Sequence, residues 1–171
     1  MATTLKPPRP LVWDEASPSV FLAGSIDMGA AEPWQEAVEA GWSDLALTIL
    51  NPRREAWDAS WPQRMDFAPF REQVEWELEA LSRATWIAMY FAPRSQAPIT
   101  LLELGLHAAS GRLLVCCPEG YWRKGNVDVV CARFGVPQVP TLEAMQAEIR
   151  ARALRLRRIQ QALEQGNPQE T

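Results

Sequence analysis

Apolar positions along the chain fall into short unbroken runs separated by longer amphipathic stretches. Residues 19–23, 45–50, 85–91, 112–117 and 136–139 are apolar runs of four to seven residues, the length and composition of buried strands. Between them the period lengthens. A helix is predicted to start at Pro33 and end near Gly41, with proline just inside its start and glycine near its end. Phe70, Val74, Leu78 and Leu81 recur at three- and four-residue spacing and predict a second helix to Arg83. Pro98 and Thr100 open a third, and residues 128–134 read as a fourth. Leu142, Met145, Ile149, Ala153, Leu156, Ile159 and Leu163 hold helical spacing for more than twenty residues.

Strands alternating with helices imply a parallel sheet covered on both faces. Right-handed crossovers favour a five-stranded, doubly wound α/β sheet of the flavodoxin-like or Rossmann-like kind. Residues 18–165 are read as one such domain. Residues 1–17 precede any periodicity, hold three prolines, and read as an extended arm, mobile or laid along a neighbour. Residues 166–171 form a polar tail.

Composition adds exclusions. A length of 171 residues with 47% hydrophobic content suits one domain with a full core. The net charge of -4 argues against a whole-surface nucleic-acid binder, although five arginines (Arg150, Arg152, Arg155, Arg157 and Arg158) line the last helix. No run reaches the length of a membrane span, and the N-terminus lacks a signal-peptide core, so a cytoplasmic location is expected. Cys116, Cys117 and Cys131 show no paired spacing, and one histidine leaves too few ligands for zinc. Reduced core cysteines and no metal are the expectation.

The chemistry concentrates after the third strand, in Ala97-Pro98-Ile99-Thr100-Leu101-Leu102-Glu103-Leu104-Gly105. Glu103 falls in the first turn of a helix beyond a strand's carboxyl end, where ligands bind in open α/β sheets. The helix dipole there favours an ionised carboxylate, as a covalent nucleophile requires. The same four residues, Thr100 to Glu103, also match a capping box, in which glutamate only closes the helix start. His107 lies one turn on, as an orienting or surface residue. Gly24 and Ser25 end the first strand and suit a close backbone approach by a ligand, or a plain strand-to-helix turn. Trp57 and Trp61 lie on a long aperiodic loop after Asn51, able to stack a planar base or to plug the core edge. The loop carrying Tyr121 and Asn126 leaves the fourth strand on the same side as Glu103.

Taken together, Phe21-Leu22-Ala23-Gly24-Ser25-Ile26, Ile49-Leu50-Asn51-Pro52-Arg53, Gln73-Val74-Glu75-Trp76-Glu77, Ile99-Thr100-Leu101-Leu102-Glu103-Leu104-Gly105 and Tyr121-Trp122-Arg123-Lys124-Gly125-Asn126-Val127 are familiar. In order and spacing this chain resembles the nucleoside 2-deoxyribosyltransferase superfamily, especially its shorter deoxyribosyltransferase-like branch, which is related to 2′-deoxynucleoside 5′-phosphate N-hydrolases. The resemblance runs from about Val20 to Val139. It implies that Glu103 is the nucleophile on the sugar anomeric carbon and that Glu77 assists in the sugar pocket. It implies substrate contacts from Gly24, Ser25, Ile26 and Asp27, to which Asn51, Trp57, Trp61, Tyr121 and Asn126 are added as candidates. It further implies a homodimer or larger assembly, a nucleoside or nucleotide and a free base as partners, and no cofactor.

The implied reaction cleaves or exchanges an N-glycosidic bond with retention, through a glycosyl ester on Glu103. Asp27 stands where related nucleotide hydrolases carry an arginine, and Ala97, Ile99 and Leu101 occupy the loop that is Ser/Gly-rich in them. Both favour an unphosphorylated ligand. Two other readings stand beside the enzyme: a non-catalytic relative that binds a nucleoside-like ligand or a partner, and a nucleic-acid module built on the C-terminal arginines.

Overall fold

A computed structural model describes residues 1–14, 17–25 and 33–165; the expected contacts from Ile26 and Asp27 lie outside them. The chain runs β1 (Thr3–Leu5), β2 (Ser19–Gly24), α1 (Trp34–Gly41), β3 (Thr48–Leu50), α2 (Ala68–Arg83), β4 (Trp86–Tyr90), α3 (Pro98–His107), β5 (Leu113–Cys116), α4 (Lys124–Phe134), β6 (Gln138–Val139) and α5 (Leu142–Gln165). All neighbouring strands pair parallel, in the order β1-β3-β2-β4-β5-β6. The doubly wound architecture is therefore present, with six strands where the apolar runs predicted five.

The sixth strand comes from the N-terminal arm. Thr3, Thr4 and Leu5 pair with Thr48, Ile49 and Leu50, so the arm covers what would otherwise be an open sheet edge. Thr3-Thr4-Leu5 is too short and too polar to show strand periodicity. After β1 the arm straps α2: the Trp76 indole donates to the Arg9 carbonyl at 2.9 Å, and the Arg83 guanidinium lies 4.2 Å from the Trp13 ring.

Two cores flank the sheet. On one face Phe21, Leu50, Ile87, Met89 and Val115 pack under α2, α3 and α4 through Trp76, Leu81, Leu104 and Val127. On the other, Val20, Leu22, Ile49, Ala88 and Leu114 pack under α1 and α5 through Val38, Trp42, Met145 and Ile149. Adjacent strand residues alternate between these cores, which is why each central strand is apolar throughout. The long amphipathic stripe of α5 is divided: Met145, Ile149 and Ala153 are buried against the sheet, while Ile159 and Leu163 are exposed. The three cysteines are free and buried. Among the described residues no helix is long and apolar enough to cross a membrane.

The strand order reverses between β2 and β4. The chain leaves β2, adds β3 on one side, and returns through α2 to β4 on the other. A crevice opens at the carboxyl ends of strands flanking such a reversal, and α2 and α3 each connect to it.

Candidate active site

At the crevice floor, Gly24 adopts φ +153°, and a Cβ built on it would meet the Tyr90 carbonyl oxygen at 2.4 Å. This glycine is required by the approach of β2 to β4, before any ligand is considered. Ser25 is fully buried. Its amide donates to the Tyr90 carbonyl, its hydroxyl accepts from the Ala92 amide at 3.1 Å, and it shares a hydrogen bond of 2.6 Å with the Ser95 hydroxyl. These bonds tie the β2–α1 turn to the β4–α3 loop. The Trp34 indole donates to the Ser25 carbonyl and packs edge-on against Tyr90.

Two carboxyls stand on the helices that connect to this crevice. α3 starts at Pro98, with Ala97 as its N-cap in the left-handed conformation and no side-chain capping bond. Thr100 is thus the third helical residue and Glu103 lies in the second turn, so the capping box does not form and the first-turn expectation is corrected. The reason is Pro98, whose fixed φ and missing N–H make it the natural first helical position. One turn deeper, the dipole fades and burial takes over. Glu103 is 8% exposed, and its pKa is pushed up to about 8 by burial, with a further rise from the nearby charge of Glu77. An ionised resting carboxylate was the expectation; this one is mostly neutral at pH 7.

Glu77 comes from α2. Its pKa is raised to about 7, by burial, against the lowering effect of a hydrogen bond from Gln73. Gln73 lies four residues earlier on the same helical face, and its amide nitrogen donates at 2.7 Å to Glu77 Oε1 and at 2.8 Å to the Pro52 carbonyl. Two carboxyls with raised proton affinity, one of them raised further by the charge of the other, suit acid and nucleophile roles.

The remaining candidates divide. Asn51 is fully buried and engaged internally: its amide nitrogen donates to Glu39 and its carbonyl oxygen accepts from the Arg53 amide. Trp57 and Trp61 are half-buried, with ring centres 5.2 Å apart; Trp61 also packs on Phe67 and carries the Arg54 guanidinium at 5.1 Å. Tyr121 is buried against Phe91, and its hydroxyl donates to the Gln96 carbonyl. Asn126 is exposed in the first turn of α4, which begins at Lys124 and so takes in part of the expected loop. His107, half-buried, is held below its ordinary pKa by burial and by Arg112.

Gln35 and Gln73 were not among the expected contacts, yet both are buried with unpartnered atoms: both amide atoms of Gln35, and Oε1 of Gln73. Helical spacing already hinted at Gln73, one turn from Glu77. For Gln35 the sequence held no signal.

Two surface hollows of about 230 Å³ each lie at the opposite, amino-terminal edge of the sheet, near Thr48 and Thr85. Asp14 is the one carboxyl in either lining, so neither matches the paired-carboxyl chemistry of the crevice.

A doubly wound parallel sheet with one buried and one half-buried carboxyl on the helices that reach its switch point defines a class of α/β domain suited to acid-assisted displacement at carbon. Residues 17–121 match the model of the family described as "nucleoside 2-deoxyribosyltransferase like", and the chain belongs to that family. Among solved structures it is similar to the CMP N-glycosidase of Clostridium botulinum, at 12% identity and a TM-score of 0.50, covering 78% of this chain and 98% of that one. At that identity the likeness bears on the fold alone. No curated protein matches the chain.

Proposed function

We propose that the protein cleaves or exchanges the N-glycosidic bond of a nucleoside or nucleotide, with Glu103 as nucleophile and Glu77 as acid. The observation that carries this reading is the pair itself, two carboxyls from different helices, with Glu103 raised to about 8 first by burial and then by the nearby charge of Glu77. A Glu103 carboxylate oxygen attacks C1′ of the sugar; the C1′–N bond breaks, and its electron pair leaves with the base, which takes a proton from Glu77. The glycosyl ester on Glu103 is then opened by a second base or by water, with the attacking group's proton passing to Glu77. Retention of anomeric configuration follows from the two displacements.

The productive state has Glu103 ionised and Glu77 protonated. With Glu103 raised to about 8 and Glu77 to about 7, Glu103 holds its proton the more tightly of the two, so that arrangement is the less populated singly ionised form at rest. Binding of a sugar that develops positive charge at C1′ favours the ionised nucleophile and raises the population of that form.

Self-association is part of the same proposal. Ile99, Leu102 and Leu106 lie on the outer face of α3 and are 58%, 59% and 58% exposed, an apolar stripe on the helix that carries Glu103. A second copy of the chain is its proposed occupant, forming the homodimer that the family resemblance implies.

The neutral resting state of Glu103 also favours a second reading, in which the protonated carboxyl donates to a bound nucleoside without turnover. Incubation with a panel of nucleosides and 5′-monophosphates, with and without an acceptor base, separates the two. Base release or exchange by wild type, abolished in Glu103→Ala, is the expected result. Saturable binding without release would leave the binder.

A further inference from the structure

Gln73 is 5% exposed, and its amide is oriented by its neighbours. The Pro52 carbonyl can only accept, so the nitrogen must face it, and the same nitrogen reaches Glu77 Oε1. Flipping the amide would set two oxygens against each other at 2.8 Å. The carbonyl oxygen is therefore turned the other way, and there it is buried without a hydrogen-bond partner. Buried acceptors are nearly always satisfied, and one left open beside a candidate site calls for a donor from outside the chain.

Resting on the proposed glycosyl-transfer reading, we infer that Gln73 is a positioning residue for Glu77 and also the acceptor for a hydroxyl of the bound sugar. Its nitrogen ties the Glu77 carboxyl to a fixed point on the backbone after β3, the Pro52 carbonyl. Its oxygen belongs to the amide that bonds Glu77, and Glu77 in turn lies near enough to Glu103 to raise its proton affinity, so a sugar held by the two carboxyls is the nearest source of a donor. A sugar hydroxyl is the donor such a ligand brings. A nucleoside lacking that one hydroxyl leaves the oxygen buried and empty, and sites built to bond a hydroxyl reject the analogue lacking it.

The test compares ribosyl, 2′-deoxyribosyl and 3′-deoxyribosyl forms of one nucleoside on wild type, Gln73→Met and Gln73→Glu. Wild type is expected to disfavour one monodeoxy form by about tenfold or more in kcat/KM. Gln73→Met, which fills the space without donor or acceptor, should lose that preference. Gln73→Glu, protonated beside two other carboxyls, can donate to the Pro52 carbonyl while its second oxygen accepts, and should keep the preference, which guards against a Gln73→Met that folds poorly. In Gln73→Met the acid limb of the pH–rate profile should also move up, because the bond that lowers the Glu77 pKa is gone; a merely structural residue would leave the limb in place. Calorimetric titration of the same nucleosides reads the discrimination without turnover, so an inactive protein ends the proposed reaction but not the Gln73 assignment. Equal treatment of all three sugars by wild type, a preference that survives in Gln73→Met, or no binding of any nucleoside would each overturn it.

Discussion

Replacing Glu103 by glutamine should make the protein more stable at neutral and alkaline pH, and the size of the gain can be worked from the site. Burial, aided by Glu77, raises the Glu103 pKa from 4.5 to about 8. Its folded-state pKa lies above the unfolded one, so between those values the folded state binds the proton more readily. Stability from this group is full below about pH 4.5 and is lost as pH rises through about 8. Each pH unit across that gap is worth about 1.4 kcal/mol, which caps the effect at roughly 5 kcal/mol. At pH 8, where half the folded molecules still hold the proton, the loss is about 4 kcal/mol, against under ~1 kcal/mol at pH 5. Glu103→Gln is always neutral and escapes this term. Urea unfolding of both proteins from pH 5 to pH 8.5 reads the difference directly. The variant's stability relative to wild type should climb by about 3 kcal/mol between pH 5 and pH 8, or about 6–12 °C in melting temperature for a chain of this size. Any fixed effect of the amide is the same at every pH and drops out of the comparison. Parallel stability curves across the range would refute the burial argument, because a solvated Glu103 has no reason to destabilise the fold on ionising.

Gly24→Ala places a methyl 2.4 Å from the Tyr90 carbonyl in a backbone conformation that L-residues avoid, and should lower stability by at least about 2 kcal/mol; a melting temperature within a degree of wild type would show that the strand can shift. Gln35→Met removes two unpartnered buried polar atoms and should raise stability by about 1–3 kcal/mol in the absence of ligand, measured by urea unfolding. A destabilised variant would mean that an ordered water or another group already satisfies Gln35. Leu102→Asp, centred in the exposed α3 stripe, should shift the protein to monomer in sedimentation equilibrium while leaving its far-UV circular dichroism intact; an unchanged mass would remove α3 from any interface.

Much of the fold was legible because buried parallel strands need no partner pattern to be recognised. Residues 85–91 and 112–117 are apolar on both sides, which only an interior strand tolerates, and they became β4 and β5. Phe70, Val74 and Leu81 marked α2 through a period that helix geometry alone sets. The N-terminal strand was hidden for the opposite reason: Thr3-Thr4-Leu5 acquires its structure by pairing with β3, a contact more than forty residues away. The start of α4 at Lys124 was likewise invisible, since no apolar residue precedes Val127 in that turn.

For the site, local sequence determined that Glu103 follows a strand closely, on a helix begun by Pro98. Whether it caps that helix or faces a crevice depends on which residue takes the first helical position, and whether its carboxyl rests ionised depends on what surrounds it. Only the tertiary structure decides these points. It places Glu103 in the second turn, where dipole stabilisation has faded, and buries it near Glu77, twenty-six residues earlier in the chain and on another helix. Proton affinity is a property of solvent exposure and neighbouring charge, which are set by packing across the fold. The same packing leaves the Gln73 oxygen empty, and a vacant acceptor exists only once all of its possible partners have been positioned.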